Sequence, residues 1–567
     1  MERKFKSLKS LIFSIYEDEY SNNEIDQTIK NIFNLIKKNK KIYKNFKEID
    51  EQTILLITYP DSFSDRKKTK LSSLNYFLKK YINNLFDVVH ILPFFPSSSD
   101  DGFAVIDYRK VDPSYGNWND IKKINKNYKI MADLVVNHGS SKSKWFENFL
   151  KQSGKGKDFF YTVGNLFDIS KVVRPRSHEL LREVNTKNGK KKVWCTFSHD
   201  QIDYDYTNLK FFEEIVSLII FFIKKNISFF RLDAIAYIYK QSGTVCINHE
   251  KTHKFVKIFR LINDIMTKGS TLITETNLPN QENLSYFGNS NEANCIYNFS
   301  LPPLILYSFL FENAKILRRW NMAMPPALEE TAYINFLSSH DGIGLRPLEG
   351  LISNNDYKKL IQKLKSKKSL FTTRKKNNKN LIYEANITFF DALKENDKFD
   401  VDRFISAHAI VLSIEGIPAI YVNSLFGSKN YIDGVKMTNS NRTINRQKWN
   451  LNQIEKMINS ESDQTLIFHS LKKLIEIRKK QKAFHPNATS FTLQLGEKLF
   501  GIWRQSRDRK QSIFCITNLS KKIETFQSLD LNLILDENWY DLITGDQIKK
   551  DLIQVNPYKT IWLSNSK

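Results

Sequence analysis

Apolar residues recur along the chain in two rhythms. Residues 1–50 carry Leu11, Ile12 and Ile15, then Ile29, Ile32, Phe33 and Ile36, the spacing of two amphipathic helices. Short, near-continuous apolar runs follow, separated by helical stretches. They are Ile54–Tyr59, Val88–Phe94, Ile130–Val136, Phe229–Leu232, Leu272–Thr274, Cys295–Phe299, Tyr333–Leu337 and Ala419–Val422. Strands that are apolar on both faces belong to a parallel sheet covered by helices. Eight strand–helix alternations predict an α/β fold, a closed (β/α)8 TIM barrel.

The spacing of the runs is uneven. Between the third and fourth lie roughly ninety residues, more than one crossover helix needs. Residues 139–205 therefore read as an inserted domain after strand 3, followed by a helix over Phe211–Lys224. A second insertion, 342–400, follows strand 7 and is rich in Lys and Asn. From 485 the rhythm becomes alternating, as in Phe491-Thr-Leu-Gln-Leu, Leu499-Phe-Gly-Ile-Trp and Ser512-Ile-Phe-Cys-Ile-Thr. That predicts a C-terminal antiparallel β domain over 485–567. The expected division is an N-terminal helical segment (1–50), a barrel (51–138 and 206–484), the two insertions and the C-terminal sheet.

In a barrel of this kind the C-terminal strand ends converge on one site. The first run ends Tyr59-Pro60-Asp61, the third Asn137-His138, the fourth Arg231-Leu232-Asp233, the fifth Thr274-Glu275-Thr276 and the seventh His340-Asp341. One ionisable residue after an apolar run is often just a cap. Five of eight together point to chemistry. Cleavage of a glycoside with retention needs a carboxylate nucleophile and a carboxylic acid that protonates the leaving oxygen. Arg231 stands two residues before Asp233, on the same strand face, where a guanidinium would hold that carboxylate ionised.

Composition narrows the picture. Apolar content is 41%, as in a chain that folds throughout. The net charge is +25, but the lysines are dispersed in short groups such as Lys37–Lys41, Lys190–Lys192 and Lys375–Lys376. No stripe of Arg and aromatic residues at nucleic-acid spacing accompanies them, so no nucleic-acid partner is expected. The four cysteines form no CxxC pair, which argues against a zinc or redox site and reads as free buried thiols. The longest apolar run, Ile215–Ile223, is too short to cross a bilayer, and the first residues lack a signal-like apolar segment. The expectation is a cytoplasmic protein with no membrane partner.

These segments resemble the α-amylase family of glycoside hydrolases (family 13) over nearly the whole chain. The motifs are Asp133-Leu-Val-Val-Asn137-His138, Phe230-Arg231-Leu-Asp233-Ala, Ile273-Thr-Glu275-Thr and Ser339-His340-Asp341. The resemblance implies Asp233 as nucleophile, Glu275 as acid/base and Asp341 as a carboxylate on the sugar hydroxyls. Arg231, His138 and His340 would line the glucose pocket. Within the family, Leu56-Ile-Thr-Tyr-Pro-Asp61, His90-Ile-Leu-Pro-Phe-Phe-Pro, Gly102-Phe-Ala-Val-Ile-Asp-Tyr108 and His340-Asp-Gly-Ile-Gly-Leu-Arg-Pro-Leu-Glu-Gly350 resemble the sucrose phosphorylase subfamily.

That likeness implies that Asp61 and Arg446 grip the far hydroxyl of a single glucosyl unit and close the pocket. Tyr108 would stack on the sugar ring, and Tyr237 would lie near phosphate, with Arg446 the other phosphate candidate. The 342–400 insertion would flank the acceptor. Glu275-Thr-Asn277 departs from sucrose phosphorylases, which typically carry His at the Asn277 position. The stretch Thr274–Gly288 instead resembles the glucosylglycerate-specific branch. Arg346 suits an anionic acceptor, although a lone Arg on a long loop is ordinarily surface. Asn137 binds calcium in many amylases, but this branch implies no metal and no cofactor. The expected activity is a glucosyl phosphorylase (a hexosyltransferase) acting on a small glucoside and inorganic phosphate, as a monomer or homodimer. Acceptors other than glycerate, a hydrolase or transglucosylase using the same residues, and a non-catalytic sugar-binding barrel are the alternatives.

Overall fold

Each of the eight apolar runs is a strand in the computed structural model of the chain, which describes residues 2–376, 379–531 and 538–566. They are β1 (Leu55–Thr58), β2 (Val88–Ile91), β3 (Lys129–Val135), β4 (Phe229–Asp233), β5 (Thr271–Thr274), β6 (Cys295–Tyr297), β7 (Ala332–Asn335) and β8 (Ile417–Tyr421). Consecutive strands pair in parallel, and β8 returns to β1 to close the barrel. Nearly every strand residue is buried, as a sheet covered by helices outside and filled inside requires.

Register decides which residues meet. Arg231 on β4 lies opposite Asp133 on β3 and Ile273 on β5. Alternate residues face the barrel interior, so Arg231 and Asp233 share that face while Leu232 packs outward. Polar side chains therefore stand inside the upper barrel, fully buried, and must satisfy one another.

The N-terminal segment is two helices, α1 (Glu2–Tyr16) and α2 (Asn22–Asn39). Ser21 and Glu24 form a capping box at the start of α2, satisfying the first free N–H groups. Their buried faces (Leu8, Ile12, Ile15; Ile25, Ile29, Ile32, Ile36) pad the outside of the barrel. The Tyr16 hydroxyl donates to the Tyr206 carbonyl at 2.9 Å.

Between β3 and β4 the chain forms a helix (Lys144–Lys151) and a three-stranded antiparallel sheet of Thr162–Val163, Gly189–Trp194 and Leu181–Thr186. Beyond β7 it forms a helix (Asn354–Ser366) and a hairpin, Leu370–Lys376 with Lys379–Asn386, to which Ile343–Gly344 adds a third strand. Residues 377 and 378 of that insertion lie outside the described residues. The three alternating segments near the C-terminus are the first strands of a six-stranded antiparallel sheet.

One buried guanidinium ties this sheet to the barrel: Arg504 donates to the Ser413 carbonyl at 2.9 Å. Within the barrel, buried Arg478 donates to the Leu412 carbonyl at 2.8 Å. All four cysteines are free and buried. Among the described residues, no helix is long and apolar enough to cross a membrane.

Candidate active site

The upper barrel interior gathers carboxylates around one guanidinium. Arg231 Nη1 lies 2.7 Å from Asp233 Oδ1 and 2.5 Å from Asp133 Oδ1, and Nη2 lies 3.9 Å from Glu275 Oε2. Asp133 is held on its other side by His90 Nε2 at 2.8 Å. Those two partners outweigh burial and bring the Asp133 carboxyl down to about 2. It is a fixed anion that orients Arg231.

Ala234, directly after Asp233, adopts a left-handed φ of 51°, which costs an L-residue ~1 kcal/mol. Its N–H points at Glu275 Oε2, 3.0 Å away. Burial raises the proton affinity of both Asp233 and Glu275; the Glu275 and Asp133 carboxylates add to the rise at Asp233, and Asp341 to that at Glu275. Arg231 opposes that rise from 2.7 Å at Asp233 and from 3.9 Å at Glu275. One buried anion beside one protonated acid is the arrangement a double displacement starts from.

Asp341 closes the other side. Burial would raise its carboxyl, but Arg442 (Nη1 at 2.6 Å), His340 and Arg446 hold it well below the usual range. Burial drives His340 down to about 3 and His138 down to about 4, so both rings are neutral at pH 7. His340 stacks on Phe103 at 5.1 Å, and Phe103 in turn lies 5.7 Å beneath the Arg231 guanidinium.

Two expected contacts differ. Asp61 and Arg446, expected together on one sugar hydroxyl, each have a partner of their own: Arg446 pairs with Asp101, and its Nε donates to the His340 carbonyl at 2.9 Å. Asp61 pairs with Lys448 instead. Asp101 sits in a left-handed turn (φ 48°) beside Gly102, whose hydrogen faces the Pro93 carbonyl where a Cβ would clash. This turn brings Asp101 to Arg446 across 345 residues of chain. Tyr108 is also displaced from its expected role. It is buried, and its hydroxyl donates to the Val135 carbonyl at 2.7 Å, so it packs beneath the site. The ring bordering the pocket is Phe103.

On the Glu275 side stand Tyr237 and Asn277. Burial raises the Tyr237 phenol, against the pull of Arg346, and Glu275 and Arg176 also act on it. Asn277 Nδ2 donates to the Tyr383 hydroxyl at 2.7 Å. Arg446 was a phosphate candidate, but it is committed to Asp101 and the His340 carbonyl, with Asp341 at 3.8 Å.

The sequence reading passed over Asp101, Phe103, Arg442 and Glu384. Arg442 stands four residues before Arg446, and Phe103 lies inside a motif already singled out. Glu384, which binds Arg442 through two 2.9 Å contacts, comes from an insertion with no legible pattern.

The oxygens beside Asn137 already hold a cation. Lys240 Nζ lies 3.2 Å from Asn137 Oδ1 and 2.8 Å from Asp203 Oδ2, all three side chains buried. Among the described residues, no group of three or more His, Cys, Asp or Glu is placed to hold a metal ion. An ammonium supplies there the charge that a divalent ion would otherwise bring.

Comparison with known proteins agrees with this geometry. The chain is 37% identical over 530 residues to a glucosylglycerate phosphorylase of Spirochaeta thermophila, covering 91% of this chain and 90% of that protein. It is likewise 37% identical over 529 residues to a glucosylglycerate phosphorylase of Escherichia coli, covering 91% and 92%. The crystal structure of sucrose 6F-phosphate phosphorylase from Thermoanaerobacter thermosaccharolyticum superposes with a TM-score of 0.74 at 27% identity, over 89% of this chain and 98% of that one. The family model for the α-amylase catalytic domain matches residues 57–486. With a closed parallel barrel, carboxylates at its strand ends and this match over most of its length, the chain belongs to the α-amylase family.

Proposed function

We propose that the protein is a retaining glucosyl phosphorylase, converting α-glucosylglycerate and phosphate into α-glucose 1-phosphate and glycerate. The observation that carries the reading is the Arg231 cluster. It places Asp233 on the Arg231 guanidinium at 2.7 Å and Glu275 at 3.9 Å, beside Asp341, Arg446 and Asp101.

Asp233 attacks C1 while Glu275 gives its proton to the departing glycerate oxygen. A β-glucosyl-enzyme results. A phosphate oxygen then attacks C1 from the face the acceptor has left, the bond to Asp233 breaks, and the product is an α-glucoside with retention. Asp341, held ionised by Arg442, binds the sugar hydroxyls. The relatives named glucosylglycerate phosphorylase, at 35–37% identity over nine-tenths of the chain, support glycerate as the acceptor.

The test is glucose 1-phosphate release from α-glucosylglycerate with and without phosphate. It is paired with synthesis from glucose 1-phosphate on glycerate, glycerol, fructose and fructose 6-phosphate. Phosphate-dependent release and fastest synthesis on glycerate are expected. Equal glucose release with and without phosphate would mean a hydrolase on the same residues, and a different preferred acceptor would reassign the substrate.

A further inference from the structure

Arg346 lies in the loop after β7, where a solitary arginine is ordinarily solvated. It is instead 8% exposed. Taking a guanidinium out of water is costly unless acceptors replace the lost hydration. The other buried arginines among the described residues have them: Arg231, Arg260, Arg374, Arg403 and Arg446 hold carboxylates, and Arg478 and Arg504 hold main-chain carbonyls. Among the described residues, no carboxylate pairs with Arg346, and its buried Nε–H has no acceptor. Its side-chain contact is the Tyr237 hydroxyl. It is a buried cation with its counter-charge missing.

Its position says what that counter-charge belongs to. Tyr237 also has the Glu275 carboxyl among its neighbours, and Glu275 is the acid that protonates the leaving oxygen. Whatever neutralises Arg346 thus carries its charge close to the oxygen being transferred. Asn277, two residues after Glu275, has a buried Oδ1 with no donor, since its Nδ2 is spent on Tyr383. A Cβ at Gly344 would stand 3.0 Å from that oxygen, so the absence of a side chain there keeps its approach open.

From these contacts we infer that Arg346 selects the acceptor, binding the carboxylate of a small hydroxy acid whose reacting hydroxyl stands one or two carbons away, while Asn277 Oδ1 accepts from a neighbouring hydroxyl. Planar guanidinium donors match a carboxylate. Arg176 is a separate cation. It is half-exposed and lies 5.7 Å from the Phe197 ring and 5.8 Å from the Tyr383 ring, leaving it for the incoming phosphate.

The inference rests on the phosphorylase reading, and two assays separate their failures. Arsenate-dependent glucose release from glucose 1-phosphate needs no acceptor and tests the phosphorylase reading in the unaltered protein; its absence overturns both. Where it is present, synthesis from glucose 1-phosphate is compared on D-glycerate and on glycerol, for the natural protein and for Arg346→Leu. The expected result is a loss of about 100-fold or more in kcat/KM on glycerate and a much smaller loss on glycerol, collapsing the preference. Arg346→Lys should recover part of the glycerate rate. If Arg346→Leu does not fold, Arg346→Gln and Arg346→Lys carry the same comparison. Equal losses on both acceptors, or an unchanged preference, overturn the assignment, because a merely structural arginine would not distinguish acceptors by charge.

Discussion

Replacing Arg442 with Met tests the electrostatics of the site most directly. Arg442 holds Asp341 at 2.6 Å through one nitrogen and Glu384 at 2.9 Å through two others. Glu384 is 2% exposed at its side chain and Asp341 26%. Removing one partner of a buried ion pair costs about 3–5 kcal/mol, chiefly from the charge left behind. Most of that falls on Glu384, which has no water to turn to.

Asp341 is partly solvated and keeps Arg446 at 3.8 Å, so its share is about 1–2 kcal/mol. At 1.36 kcal/mol per pH unit, its proton affinity rises by roughly one unit. Asp341 must be ionised to bind the sugar, and in the natural protein it is ionised well below neutral pH. That rise still leaves Asp341 ionised across the neutral range, so in Arg442→Met the acid limb of kcat/KM should stay in place while the melting temperature falls. Adding Glu384→Gln should restore most of the stability, because the buried charge left without a partner is then gone. Glucose 1-phosphate release measured from about pH 4 to 9, with thermal melts alongside, reads both effects. An unchanged melting temperature in Arg442→Met, or a double variant no more stable than the single one, would refute the argument that Arg442 neutralises a buried Glu384.

Asp233→Asn keeps the shape of the site and removes the attacking charge, so glucosyl transfer should fall by roughly four orders of magnitude or more with little change in melting. A variant retaining a tenth of the activity would show that the nucleophile is elsewhere. Glu275→Gln should be more stable than the natural protein at pH 7. Burial raises the Glu275 proton affinity in the folded state, so ionisation favours unfolding as pH climbs above the ordinary carboxylate range. The difference should vanish near pH 3–4, where the carboxyl is protonated in both states, and melts across pH that showed no such trend would contradict this. Asp101→Ala should cost at least about 100-fold in kcat/KM because it strips Arg446 of a carboxylate, whereas Asp61→Ala, which frees only the exposed Lys448, should cost far less. The reverse order in steady-state kinetics would return Asp61 to the sugar hydroxyl it was expected to grip.

The barrel and its catalytic carboxylates were legible in the sequence because both depend on local pattern. Strands buried on both faces must be apolar throughout, so β1–β8 announced themselves. The residue ending such a strand has only one place to go, so Asp233, Glu275 and His340-Asp341 could be placed at a common rim. Arg231 was readable for the same reason, since the two-residue period of a strand puts it on the Asp233 face.

What lay beyond reach were contacts between segments far apart in the chain. Arg446 had two aspartates to choose from at the barrel rim, and the left-handed turn at Asp101 decided between them. Tyr108 carried an aromatic ring fit for a sugar, but only packing showed its hydroxyl turned to Val135. Arg346 looked like one more surface cation in a lysine-rich chain, and nothing in its spacing singled out Lys240. Burial separates them: Lys240 was given Asp203 as its partner, and Arg346 was given none. A charge's environment is set by which distant segments exclude water from it, and residue spacing along the chain does not encode that exclusion.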